Sequence, residues 1–125
     1  MSETTETRVV AVLDDMFFTS KIREDAKSTG LNVEILKNTN GLIEGLTSAP
    51  PTLIIVDLNF KKVEPMELIK DIKSSDKLNS IPVIGYFSHV QTDLKKEASQ
   101  AGYDFVIPRS RFVRELGDIL NKGAC

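Results

Sequence analysis

The chain has 125 residues, 41% of them hydrophobic and 27% charged, which fits one globular domain able to bury a core without staples. Its formal net charge is −2, which excludes a general attraction to nucleic acid. Its single cysteine, Cys125, cannot form an internal disulfide or a thiolate cage, and no apolar stretch approaches the roughly 20 residues of a membrane helix. A reducing cytoplasm is the expected setting, with no membrane or nucleic-acid partner.

Residues 1–7, MSETTET, are polar and are expected to form a disordered start. Val9–Leu13 is apolar without alternation, the pattern of a strand buried on both faces. Phe18, Ile22 and Ala26 then recur at helical spacing, and Gly30 is the expected stop. Asn32–Leu36 reads as a short strand. Asn40 is expected to cap a second helix bearing Leu42, Ile43 and Leu46. Pro50-Pro51 forbids helix continuation and leads into strand Leu53–Val56. Pro65 suits the first turn of a third helix striped by Leu68, Ile69 and Ile72. Pro82 opens a fourth strand, Val83–Phe87. Leu94, Ala98 and Ala101 mark a fourth helix, ended by Gly102. Asp104–Ile107 is the fifth strand, and Ser110 is the expected cap of a last helix carrying Phe112, Leu116, Ile119 and Leu120.

Alternating strands and helices at this length imply an α/β, doubly wound, five-stranded parallel sheet with helices on both faces. In such sheets ligands bind beyond the carboxyl ends of the strands, where the strand order reverses. Asp57 leaves one apolar run and Asp14-Asp15 leave another. If those strands are neighbours, three carboxylates converge at one edge, and such crowding needs a cation or a shifted pKa.

These residues resemble a response-regulator receiver domain of the CheY-like superfamily. The matching pieces are VLDD at 12–15, LIIVDLN at 53–59, IPVI at 81–84 and AGYDFVIPRS at 101–110, spread over residues 8–121. The resemblance implies the flavodoxin-like strand order 2-1-3-4-5, with residues 122–125 as a tail. It implies Asp57 as phosphoacceptor, Asp15 as a direct Mg²⁺ ligand and Asp14 as an acid acting through water. It implies the Asn59 backbone carbonyl as a further metal ligand, and Arg109 in the place of the family's phosphoryl-contacting lysine. The chemistry agrees, since Mg²⁺ takes hard oxygen ligands and a carboxylate nucleophile forms an acyl phosphate.

The switch half departs from the family pattern. Phe87 aligns with the usual Thr or Ser at the end of strand four; Ser88 lies one residue late, on the opposite strand face, and could supply the phosphoryl-contacting hydroxyl only if the strand end shifts or bulges. Val106 aligns with the usual aromatic, Arg109-Ser110 with Lys-Pro, and Pro65 with a glycine, so the loop after Asp57 is expected to be reshaped.

The leading expectation is a stand-alone phosphorylatable receiver, the chain ending at Cys125. A sensor histidine kinase or a histidine phosphotransfer protein would donate the phosphoryl group, and an unidentified downstream protein would read it by contact. Enzyme activity beyond its own phosphoryl transfer and dephosphorylation is not expected. The alternative is a pseudo-receiver, an interaction module that does not switch by phosphate. A flavin binder is disfavoured, because Asp14-Asp15 repels phosphate where a cradle of backbone N–H groups is needed. His89, the only histidine, reads as a solvated loop residue, and Arg109, Arg111 and Arg114 as a basic patch too small for nucleic acid.

Overall fold

The computed structural model describes residues 8–88 and 92–122. His89, Cys125 and the polar segment 1–7 lie outside the described residues. Five strands alternate with five helices: β1 (Arg8–Val12), α1 (Met16–Thr29), β2 (Asn32–Leu36), α2 (Leu42–Ser48), β3 (Leu53–Asp57), α3 (Pro65–Lys73), β4 (Val83–Phe87), α4 (Thr92–Ala101), β5 (Phe105–Pro108) and α5 (Arg109–Lys122). All strand pairs are parallel, in the order β2-β1-β3-β4-β5. The expected architecture and strand order are therefore present. Among the described residues no helix is long and apolar enough to cross a membrane.

The strands with no polar alternation are the ones buried on both faces. Val9 to Val12 and Leu53 to Val56 are fully shielded. Val10, Val12, Ile54 and Val56 pack against α2, α3 and α4. Val9, Ala11, Leu53 and Ile55 face α1 and α5 instead, joining Phe18, Ile22, Phe112 and Leu116. Side-chain direction alternates with every residue of a strand, which produces this two-layer sorting. Each such side chain contributes about 1.5–3 kcal/mol when withdrawn from water.

Helix ends follow local chemistry, with two corrections. Gly30 adopts φ 75° and closes α1, since only glycine takes the left-handed region without strain. Asn40 does not cap α2. Its N–H is drawn back to Asn38 Oδ1 at 3.0 Å, and Gly41 at φ 65° leads into the helix. Ser110 does not cap α5 either. Strand β5 runs straight into the helix at Arg109, so no loop residue separates them and Ser110 falls in the first turn. Between β3 and α3 the chain makes a 3₁₀ turn at Lys61–Val63, followed by Glu64 at φ 46°. Pro65 then opens α3, where its missing N–H costs nothing.

Gly85 in β4 reports how tightly this sheet edge is filled. A Cβ there would stand 2.8, 2.9 and 3.0 Å from Leu58 Cδ2, Cγ and Cδ1. Three atoms of one buried side chain would clash together, so turning an end methyl does not relieve the overlap. Gly85→Ala is expected to lose about 1–3 kcal/mol by overpacking. Urea unfolding checks this, and a variant as stable as the wild type would show that Leu58 swings aside freely.

Candidate functional site

Asp57 is the last residue of β3, two positions beyond Ile55, so its side chain falls on the α1/α5 layer. Its Oδ1 accepts the Asn59 N–H at 2.8 Å. Strand β1 is the neighbour of β3, and the loop leaving it carries Asp15 to the same end of the sheet. Asp15 is the N-cap of α1: its Oδ1 accepts the Phe18 N–H at 3.2 Å. That position also suits a carboxylate, because the helix dipole favours negative charge at its start. The second oxygen, Oδ2, accepts Arg109 Nη2 at 3.1 Å. Arg109 begins α5, and its guanidinium lies 4.3 Å above the Phe18 ring centroid. The ring face attracts the cation and holds it where the acid meets it.

The structure thus gathers Asp15, Asp57 and Arg109. Of the three acids expected to converge, Asp15 and Asp57 are close enough for one charge to act on the other. The Asp14 side chain is 57% exposed and lies 3.9 Å from the Lys37 ammonium. Asn59 is a junction: its backbone carbonyl accepts the Lys61 N–H at 3.1 Å, and its Oδ1 accepts the Ser88 N–H at 2.8 Å. The contact that fixes Ser88 is therefore made by its backbone. Phe87 is buried in the α2/α3/α4 layer, away from Asp57, and Val106 packs against the same layer.

Burial is the main force on the Asp57 carboxyl and pushes its pKa above the usual 3.8. The negative charge of Asp15 pushes the same way, while the Asn59 N–H, the Arg109 guanidinium and the Tyr86 hydroxyl oppose it. Tyr86 is the site residue that sequence reading missed. It pairs in register with Asp57 across β3 and β4 and shares the α1/α5 layer. Its hydroxyl is influenced by the Asp57 charge yet completes no hydrogen bond of good geometry. The available signal was strand alternation, which gives Tyr86 and Phe87 opposite faces.

Among the described residues, no three acidic, imidazole or thiol side chains form a ready-made metal cage. In kind, the donors do fit Mg²⁺. Asp15 and Asp57 are close enough for one charge to shift the other, the Asn59 carbonyl is a hard oxygen, and Mg²⁺ completes its shell with water. The Arg109 guanidinium is the competitor at Asp15.

No protein-family model and no curated protein sequence matches this chain. Solved structures do match in shape. A response regulator from Hahella chejuensis superposes with TM-score 0.84 at 19% identity, covering 94% of each chain. The chemotaxis response regulator CheY4 of Vibrio cholerae gives TM-score 0.80 at 18% identity, covering 95% of this chain and 99% of that one. The receiver domain of a sensor histidine kinase from Pseudomonas aeruginosa, with a magnesium ion coordinated in its active-site cleft, gives TM-score 0.80 at 15% identity, covering 94% of this chain and 97% of that one. Strand order, helix placement and these superpositions agree that the chain has the fold of a CheY-like response-regulator receiver domain.

Proposed function

We propose that the chain is a phosphoacceptor receiver in which Asp57 takes a phosphoryl group with the help of Mg²⁺. The observation that carries this reading is the half-buried Asp57 carboxylate at the exit of β3, flanked by Asp15 and Arg109. A sensor histidine kinase or a histidine phosphotransfer protein is the donor, and an unidentified protein reads the result by contact. The chain is not an enzyme beyond its own phosphoryl transfer and dephosphorylation, and it works in the cytoplasm.

Asp15, Asp57 and the Asn59 carbonyl would hold Mg²⁺, with Asp14 reaching it through water. The bound ion would supply positive charge against two carboxylates and an incoming phosphoryl group. The rest falls to the chain itself. The Asn59 N–H pins Oδ1 of Asp57, which leaves Oδ2 as the attacking oxygen. Burial raises the affinity of Asp57 for a proton and makes its ionised form a stronger nucleophile. Arg109 offers further donors of its planar fork to phosphoryl oxygens while holding Asp15.

The test is incubation with acetyl phosphate and Mg²⁺ followed by intact-mass measurement. Wild type is expected to gain one phosphoryl group, and Asp57→Ala none. Label persisting in Asp57→Ala would refute the assignment.

Two observations favour a second reading, a pseudo-receiver that does not switch by phosphate. Arg109 already neutralises Asp15, and Phe87 lies buried where the family places a hydroxyl. On that reading Arg109 is a resident cation, and Mg²⁺ binds only to Arg109→Ala. Amide shifts on Mg²⁺ addition to the wild type would dismiss it.

A further inference from the structure

Tyr86 stands out among the buried polar groups of this fold. Its side chain is 3% exposed, and its hydroxyl has no completed hydrogen bond. A buried phenol normally finds a partner, because an unsatisfied polar group is costly away from water. The other tyrosine shows the usual arrangement: Tyr103 donates to the Pro65 carbonyl at 2.7 Å. Tyr86 differs in facing the site. It is paired in register with Asp57, and each group perturbs the other.

The ring is held firmly. Tyr86 stacks on Phe112 with centroids 4.6 Å apart and planes 7° from parallel. Phe18 closes the other contact, its centroid 5.1 Å from Tyr86 and 5.9 Å from Phe112. Three rings from α1, β4 and α5 thus fix where the hydroxyl points. The position that the family resemblance assigns to a hydroxyl is taken by Phe87, whose side chain lies in the opposite layer. The site therefore lacks that donor and contains another, one residue earlier, on the face that Asp57 occupies.

We infer that the Tyr86 hydroxyl is the phosphoryl-contacting hydroxyl of this site, donating to an oxygen of the group carried by Asp57. The inference rests on Asp57 being the phosphoacceptor. With an acyl phosphate as donor, the bond from phosphorus to the acyl oxygen breaks as the bond from Asp57 Oδ2 to phosphorus forms. The carboxylate leaves with the electron pair, and Tyr86 keeps its proton throughout. A hydroxyl fixed by stacking cannot travel as a small side chain on a loop does. Phosphorylation is then felt through the rings by α1 and α5, the two helices that supply Phe18 and Phe112.

The test uses the full chain with acetyl phosphate and Mg²⁺, comparing wild type with Tyr86→Phe. The variant removes one oxygen and keeps the ring, so circular dichroism is expected to match the wild type. Phosphoryl uptake is expected to slow roughly 10- to 100-fold, the loss that follows removal of one donor to a developing charge. Equal uptake rates and equal lifetimes of the acyl phosphate would overturn the inference while leaving Asp57 as acceptor. A wild type that takes no label on Asp57 would overturn both readings. A second measurement needs no variant. The chain has two tyrosines and no tryptophan, so its near-ultraviolet band reports on few rings. Beryllofluoride with Mg²⁺ is expected to shift that band through Tyr86, and an unshifted band counts against the contact.

Discussion

Asp57→Asn is expected to abolish phosphoryl uptake and, at neutral pH, to raise the melting temperature. On the proposed reading the amide removes the nucleophile, so the first effect is complete. The second follows from burial. Withdrawing the Asp57 carboxyl from water disfavours its charged form and lifts its folded-state pKa above 3.8. A carboxyl shifted upward binds protons more tightly in the folded chain than in the unfolded one. Below pH 3.8 both states are protonated and Asp57 imposes no penalty. As pH rises through the folded-state value the chain must ionise a buried group, and the penalty becomes full. Asparagine has no charge to bury, so it escapes that penalty. Each kcal/mol of relief raises Tm by roughly 3–6 °C in a domain of this size. Calorimetry at neutral pH and again below the ordinary carboxylate range checks the pattern. The variant is expected to melt higher in the first condition and alongside the wild type in the second. A variant that melts lower at neutral pH would show that Arg109 and the Asn59 N–H more than compensate for burial. If Asp57 holds Mg²⁺ as proposed, the ion is expected to raise the wild-type Tm by mass action and the Asn variant's less, because that ligand has lost its charge.

Much of the architecture was legible because this fold writes its layers into the chain. Val9–Leu13 and Leu53–Val56 are apolar at every position, and only a sheet covered on both sides needs that. The spacing of Phe18, Ile22 and Ala26 named the buried stripe of α1. Pro65 and Gly30 marked helix ends because their backbones admit few alternatives there. Caps were less legible. Asn40 is a good capping residue, but Asn38 claims its N–H, and the helix starts from glycine instead. Ser110 resembles a cap until one sees that β5 and α5 share no loop.

The site was legible in part, for a physical reason. Asp15 and Asp57 could be placed together because strand exits collect at one edge. That Asp15 caps α1 while Asp14 meets Lys37 is something spacing alone does not reveal. The Arg109 ion pair joins residues 94 positions apart. Tyr86 was obscured because an aromatic in a central strand reads as packing. Its hydroxyl acquires meaning only when the register sets it against Asp57.

Phe18→Ala is expected to be among the most damaging single substitutions in the described structure, and for two separable reasons. The ring is 1% exposed and touches Tyr86 and Phe112, so truncation opens a cavity in the α1/α5 layer. Such losses run about 3–5 kcal/mol, a large share of the roughly 5–15 kcal/mol that holds a domain together. The same ring is the platform under Arg109. Its loss removes about 0.5–2 kcal/mol of cation–ring attraction and frees the guanidinium from its seat beside Asp15. Phe18→Leu separates the two effects, since leucine keeps most of the apolar volume and none of the ring face. Urea unfolding followed by circular dichroism is expected to place the leucine variant well above the alanine variant in stability. Mg²⁺ titration is then expected to show tighter binding in Phe18→Leu than in wild type, because a less firmly held Arg109 competes more weakly for Asp15. Unchanged Mg²⁺ affinity would mean that the ion pair with Asp15, rather than the ring, sets the position of Arg109. An alanine variant losing under about 1 kcal/mol would mean that α1 and α5 close over the gap, in conflict with the stiffness expected of close-packed interiors.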